Sequence, residues 1–224
     1  MNIIVTAGPT REAIDPVRFI SNRSSGKMGY ALARVAARRG HNVTLISGPV
    51  ALRPPPKISF VAVMTADEML AAVKRHLPRC DTLIMAAAVA DWRPSRVRAQ
   101  KIKKATGYRL LRLEPTPDIL KQLRSKKGRR IFIGFAAETE RILAGARRKL
   151  AEKRLDLIVA NDVSRHDAGF EVDTNRVTLL EAGGGVRVLP LMTKMKVAVR
   201  IMDWLEAPAR RGYASGVTGG RVSA

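Results

Sequence analysis

The sequence is poor in cysteine, aromatic residues and acidic residues, and it has no long apolar run. It contains one cysteine, Cys80, in 224 residues, so no internal disulfide can form and no cysteine-based structural zinc site is available. A lone cysteine can be a nucleophile, but Cys80 falls between a helix-like stretch at 68–77 and an apolar strand beginning at Asp81, and reads as a packing residue. Aromatic residues make up 4% of the chain, too few to build platforms on which nucleic-acid bases stack. No apolar stretch approaches the roughly 20 residues that cross a bilayer. The opening MNIIVTAGPT reads as a core strand, without a basic leader region or cleavage site, so the expectation is a cytoplasmic chain with no membrane association. His41, His76 and His166 are scattered and suggest no shared chemistry.

The imbalance of charge is large: 41 basic against 19 acidic residues, a formal net charge of +22. Much of the excess is arginine on helical faces (Arg34, Arg38, Arg39, Arg147, Arg148), spread along the chain rather than gathered into a nucleic-acid-binding motif. A small polyanionic substrate accounts for part of it, through attraction at a distance.

What is present is an alternation of strand and helix patterns. Asn2–Ala7 and Asn42–Ser47 are apolar strand runs, and 82–90, 130–136 and 156–160 continue the series. Between them, 27–39 carries Met28, Leu32 and Val35 at helical spacing and stops at Gly40; Thr65 followed by Glu68 marks a capping box; 138–153 reads as a further helix. Buried strands separated by helices imply an α/β fold: a Rossmann-like, doubly wound, mostly parallel sheet. Ligands of such sheets sit beyond the carboxyl ends of the strands. After Asp162 the pattern becomes a hairpin (175–181 and 185–190) and a last helix (193–205), so one domain is expected over 1–206. From 207 to 224 the composition turns to Pro, Arg, Gly and Ser, and a basic tail without fixed structure is expected. Residues 93–118 interrupt the rhythm as a basic excursion, read as two short strands.

The candidate residues lie in the expected ligand loops. The connection after the first strand is longer than a usual βα loop by roughly fifteen residues. It holds Arg18, Asn22, Ser24, Ser25, Gly26 and Lys27. Hydroxyls and free backbone N–H groups at a helix start suit phosphate, although Ser-Ser-Gly alone is as often a plain cap. Small residues at 86–90 and 134–137 close two strands and suggest a slot for a flat base, with Asp91 placed to hold a metal–phosphate complex or a ligand hydroxyl; dense packing would explain the same residues. Gly8, Ala87, Phe135 and Ala136 complete this candidate nucleotide site. Lys149 and Lys153 lie four apart on one helix face, and Lys101 opens the cluster Lys-Ile-Lys-Lys; spacing alone does not separate a phosphate contact from a solvated charge. A nicotinamide-dependent oxidoreductase would need Gly-x-Gly-x-x-Gly after the first strand and an acidic residue closing the second. Here Gly8 is followed by Pro9 and the second strand ends in Ser47-Gly48-Pro49.

The run TAGPTRE with DPVRFISNRSSGKMG, together with 86–94, the Lys-Ile-Lys-Lys cluster, 134–138 and 160–164, resembles the phosphopantothenate–cysteine ligase family over nearly the whole chain. The resemblance implies that CTP activates the carboxylate of 4'-phosphopantothenate as an acyl-cytidylate, with Mg2+, and that L-cysteine then displaces CMP. It implies that Asn22 serves the second half-reaction and Lys101 the first, that Arg18 contacts the pantothenate part, and that Asp91 lies near the nucleotide. It also implies a homodimer with the lysine excursion near the interface, and a phosphopantothenoylcysteine decarboxylase on other sequence. Lys27-Met28 after Ser-Ser-Gly is similar to the bacterial, CTP-using branch.

Overall fold

The runs NIIVTA, NVTLIS and TLIM are buried along almost their whole length, as strands are when helices cover both faces of a sheet. The computed structural model describes residues 1–104, 110–138, 142–162 and 172–207. The first half holds β1 (Asn2–Ala7), β2 (Arg11–Ala13), β3 (Phe19–Ser21), α1 (Lys27–Arg38), β4 (Asn42–Ser47), β5 (Ser59–Ala62), α2 (Ala66–His76), β6 (Thr82–Met85) and β7 (Trp92–Pro94). The second holds β8 (Leu113–Pro115), α3 (Ile119–Leu123), β9 (Ile131–Glu138), α4 (Ile142–Glu152), β10 (Leu157–Asp162), β11 (Thr174–Asn175), β12 (Val177–Glu181), β13 (Val186–Val188), β14 (Met192–Thr193) and α5 (Lys194–Glu206).

Eight strands form one sheet in the order β13-β12-β10-β9-β6-β1-β4-β5. Every neighbouring pair from β10 to β5 is parallel, while β12 and β13 add antiparallel strands at one edge. This is the doubly wound order, with the direction of winding reversing between β1 and β6. Alternate side chains divide the core: Ile3, Val5 and Ala7 pack under α1 and α5, and Ile4 joins α2, α3 and α4 on the opposite face. The Thr65 half of the capping box is formed, with Thr65 Oγ1 accepting from Glu68 N–H at 3.2 Å, while the Glu68 carboxylate accepts from Met64 N–H at 2.6 Å instead of from Thr65. The same helix end takes a second cap from β2, where buried Glu12 accepts from Ala66 N–H at 2.8 Å. Cys80 is buried in the second core, and burial pushes its thiol up to about 12, which fits packing and not nucleophilic chemistry.

Several expectations need correction. The strand expected over 82–90 ends at Met85, because the next residues bond to the β1 loop instead of continuing the ladder. The strand expected over 130–136 runs on to Glu138, drawn along by β10 (Ala137 opposite Asn161, Glu138 opposite Asp162), so 138 is strand and not the start of the following helix. β5 was not anticipated; it is a short, mostly exposed edge strand built on the apolar residues Phe60, Val61 and Ala62. The long first connection folds into the hairpin β2–β3, and the excursion contains the expected two short strands, β7 and β8. The expected tail (208–224), Ser164, His166 and residues 105–109 of the excursion lie outside the described residues.

Candidate active site

At the carboxyl ends of the parallel strands, beside the switch point, opens a cleft of about 360 Å³. Its floor is the chain from 85 to 89 with Phe135 and Ala136; its walls are the approach to α1 (Asn22 and 24–29) and residues 116–120. Lys149 and Lys153 of α4, Asn161, Asn175 and Lys194 close it.

The floor exists because the chain leaves the sheet after β6. Ala87 N–H donates to Thr6 Oγ1 (3.1 Å) and Ala90 N–H to Thr10 Oγ1 (2.9 Å). Ala88 exchanges backbone bonds with Gly8 and Thr10 at 2.9 and 3.3 Å. Two buried threonines of the first loop thus tie down the second. Onto this loop docks Asn22, whose Nδ2 donates to Ala88 O (3.3 Å) and Val89 O (3.0 Å). Of the two small-residue segments expected to form a slot, 86–89 and 135–136 do line the cleft, but Gly134 serves packing: a Cβ there would stand 2.6 Å from Leu155 Cδ1.

The α1 wall presents an uncapped helix start to the cleft. The N-cap is Gly26 at φ 75°, with no side-chain cap and no acidic residue in the first turn, and the first-turn N–H groups of a helix have no intrahelical acceptor. Ser24 Oγ accepts from Gly26 N–H at 3.3 Å. The helix approaches the sheet closely through Gly29, where a Cβ would meet Ala7 Cβ at 2.5 Å and Thr6 O at 2.8 Å. Gly8 lies beneath this turn and does not line the cleft; its φ of +71° and its contact with Gly48 account for the glycine.

Four lysines and two aspartates line the cleft. Lys153 pairs with Asp118 at 2.9 Å, and Lys27 pairs with exposed Asp173 at 2.7 Å, which lowers the Asp173 carboxyl below its usual range. Lys194 is 6% exposed and donates to Val172 O. Burial, reinforced by the charge of Lys27, pushes its ammonium down to about 8. Asn175 and Lys194 had not been singled out from sequence. A signal was available: Lys27 and Lys194 each open a helix whose first turn holds no acidic residue, and a cation there opposes the helix dipole unless an anion is to be bound.

Of the residues expected at the site, Asn22, Ser24, Ser25, Gly26, Ala87, Asp91, Phe135, Ala136, Lys149 and Lys153 come together here. Gly8, Arg18 and Lys101 do not line the cleft. Arg18 is bound to Asp15 and to Ile102 O, and Lys101 is exposed in the adjoining segment. No group of three or more His, Cys, Asp or Glu is gathered for a metal among the described residues.

The family model described as the DNA/pantothenate metabolism flavoprotein C-terminal domain matches residues 1–208. The chain belongs to that family. It is 49% identical to the coenzyme A biosynthesis bifunctional protein CoaBC of Bacillus subtilis (strain 168) over 211 residues, 94% of this chain and 52% of the relative. It is 48% identical to the CoaBC of Escherichia coli (strain K12) over 207 residues, 91% of this chain and 51% of that one. The chain thus spans about half the length of these relatives. The crystal structure of the C-terminal domain of a CoaBC matches with a TM-score of 0.81 at 45% identity, covering 94% of this chain and 96% of that one. The Rossmann-like sheet is therefore shared with a solved member of the family, and no helix among the described residues is long and apolar enough to cross a membrane.

Proposed function

We propose that this domain is a ligase joining 4'-phosphopantothenate to L-cysteine at the expense of CTP, through an acyl-cytidylate. The observation that carries the reading is the pairing of an uncapped helix N-terminus, flanked by lysines, with a small-residue floor at the switch point. A triphosphate needs the first and a flat base fits the second. The coenzyme A biosynthesis names of the half-matched relatives support the same reading. An oxidoreductase gains no support from this geometry, because its glycine turn is absent.

The phosphates rest on the α1 turn (Ser24, Ser25, Gly26), with Lys27 and Lys194 beside it and Lys149 and Lys153 across the cleft. Ala87, Phe135 and Ala136 border the base, which their backbone groups read, favouring a pyrimidine. Mg2+ would arrive with the triphosphate: the cleft offers Asp91 as an exposed carboxylate, while Asp118 is engaged with Lys153 and the α3 cap. This fits the habit of Mg2+ to take one or two carboxylates plus phosphate oxygens. The metal would withdraw charge from the triphosphate, and the lysines hold the charge that develops as pyrophosphate departs. Lys101, one segment away, joins them in this first step. Asn22 acts in the second: its exposed amide turns from Ala88 O and Val89 O to the acyl oxygen that gains charge when the cysteine amine attacks. The exposed Phe19, Trp92, Val97, Leu111 and Leu113 lie on β3 and on the excursion. Their burial against a second copy would make a two-fold homodimer. A decarboxylase on other sequence would take the product.

The test is Asn22→Asp. A carboxylate at 22 repels both oxyanion and phosphate, so CTP and 4'-phosphopantothenate should still react while cysteine does not. The expected outcome is acyl-cytidylate accumulating to about one per site by mass spectrometry. An unchanged ratio of pyrophosphate to final product, with no trapped intermediate, would overturn the role.

A further inference from the structure

Asp15 is among the few buried charged residues of the described chain segments, and it lies outside the cleft. Its Oδ1 accepts from Val17 N–H and Arg18 N–H, both at 2.9 Å, and closes a turn. Its Oδ2 accepts from Arg18 Nε at 3.0 Å, from Arg18 Nη2, and from Ile102 N–H at 3.1 Å. Arg18 Nη2 in turn donates to Ile102 O at 2.9 Å. Both backbone groups of Ile102 are thereby gripped by one ion pair. A second tie lies four residues earlier, where Arg98 N–H donates to Ile14 O at 3.0 Å. Every other part of the segment 98–104 except Ile102 is exposed, so these bonds do what burial does elsewhere.

We propose that the Asp15–Arg18 pair is a positioning device that fixes the backbone of the lysine segment at Ile102, and hence the place from which Lys101 acts. Arg18 is then a positioning residue, in place of the pantothenate contact expected of it. The arrangement explains why a carboxylate is buried beside a half-exposed guanidinium. A planar fork satisfies Oδ2 through Nε and Nη2 and still leaves Nη2 directed at a carbonyl, which a lysine ammonium cannot do from one point. It also explains why a backbone position, and not the Lys101 side chain, is held: the side chain stays free to meet a ligand.

This inference rests on the assignment of Lys101 to the first half-reaction, and its test separates the two. Arg18→Lys keeps the charge and leaves the buried carboxylate a partner, so the fold should survive. Amide hydrogen exchange at Ile102 should speed up by roughly tenfold or more relative to Ile46 in the core. Pyrophosphate release should fall by a similar factor in kcat, with little change in KM for CTP. Adding Lys101→Gln to Arg18→Lys should cost less than Lys101→Gln costs alone, since a displaced lysine has less to lose. Unchanged exchange at Ile102 would overturn the device, whatever the kinetics. Fully additive losses, or a rise confined to KM for 4'-phosphopantothenate, would return Arg18 to direct substrate contact. If Lys101→Gln alone releases pyrophosphate normally, the assignment of Lys101 fails, while the exchange at Ile102 still decides the clamp. Ile102→Pro, which removes the N–H from which Asp15 accepts, is the second variant and should raise exchange at the Arg98 amide, the second tie of the segment.

Discussion

The rim of the cleft and the basic excursion are both loops, yet they are held by different forces. The rim, from Ala86 to Ala90 and from Ser24 to Gly29, is stitched by backbone bonds to buried Thr6 and Thr10 and by a helix pressed onto β1 through Gly29. The excursion from Trp92 to Pro115 is attached largely by charges, Arg93 to Asp67 and Asp15 with Arg18 to Ile102, beside the Arg98–Ile14 backbone bond, while Arg93 also pairs with Glu114 within it. Its apolar side chains, Val97, Leu110, Leu111 and Leu113 among them, face outward. The rim, where we propose the nucleotide binds, is built on the sheet, where burial resists displacement. The segment that, in the proposed reading, brings Lys101 to the site and meets a second copy is hung on ion pairs and a few backbone bonds.

Experiments can press on this contrast, beginning with the largest effects. Lys101→Gln should lower pyrophosphate release by about 3–4 kcal/mol of transition-state stabilisation, with thermal stability unchanged. A loss of stability would instead show the excursion to be part of the folding core. Gly29→Val should do the opposite, lowering stability by about 3 kcal/mol or more because the new side chain meets β1 backbone. Denaturant midpoints measure it, and a silent variant would mean α1 can lift from the sheet at no cost.

Acid should part the two regions. The Arg18 guanidinium holds the Asp15 carboxyl well below the usual carboxylate range, so its contribution is complete above the unfolded value of about 4. The contribution is lost as pH falls from there through the folded value. Hydrogen exchange in an acid series should therefore show Ile102 loosening before Ile46, and Asp15→Asn should show the loosened pattern already at neutral pH. Simultaneous loosening would merge rim and excursion into one cooperative unit.

The smallest effect concerns the rim alone. Lys194, pushed down to about 8 by burial, holds fewer protons folded than unfolded between that value and about 10.4. Stability should rise with pH across this window. A triphosphate in the cleft favours the charged form, so CTP binding at pH 9 should take up a proton, up to about one per site. Calorimetry in buffers of different ionisation enthalpy reads it. Uptake that persists in Lys194→Met would assign the proton elsewhere.

Most of the framework was legible in the sequence because hydrophobic burial leaves a local trace. The apolar runs of β1, β4, β6, β9 and β10 and the Thr65–Glu68 cap could be read directly, and ten of the expected site residues fall in the cleft. β5 was missed although its Phe60-Val61-Ala62 run was there to read; the strand is short and lies mostly exposed at the sheet edge. Residues 86–90 were taken for strand because alanine and valine look the same whether they pair with β9 or with the loop at 8–10.

The order of elements, the chemistry at the start of α1 and the family were therefore properties of the sequence, since each depends on neighbouring residues. Tertiary structure alone decided three things. It turned the small residues after Met85 into a cleft floor. It joined Lys27 and Lys194, distant in the chain, at one wall of the cleft, with burial loosening the second one's proton. And it sent Arg18 to Ile102 instead of to the cleft. Each outcome depends on which distant backbone groups come within hydrogen-bonding reach, and no local pattern of residues encodes that distance.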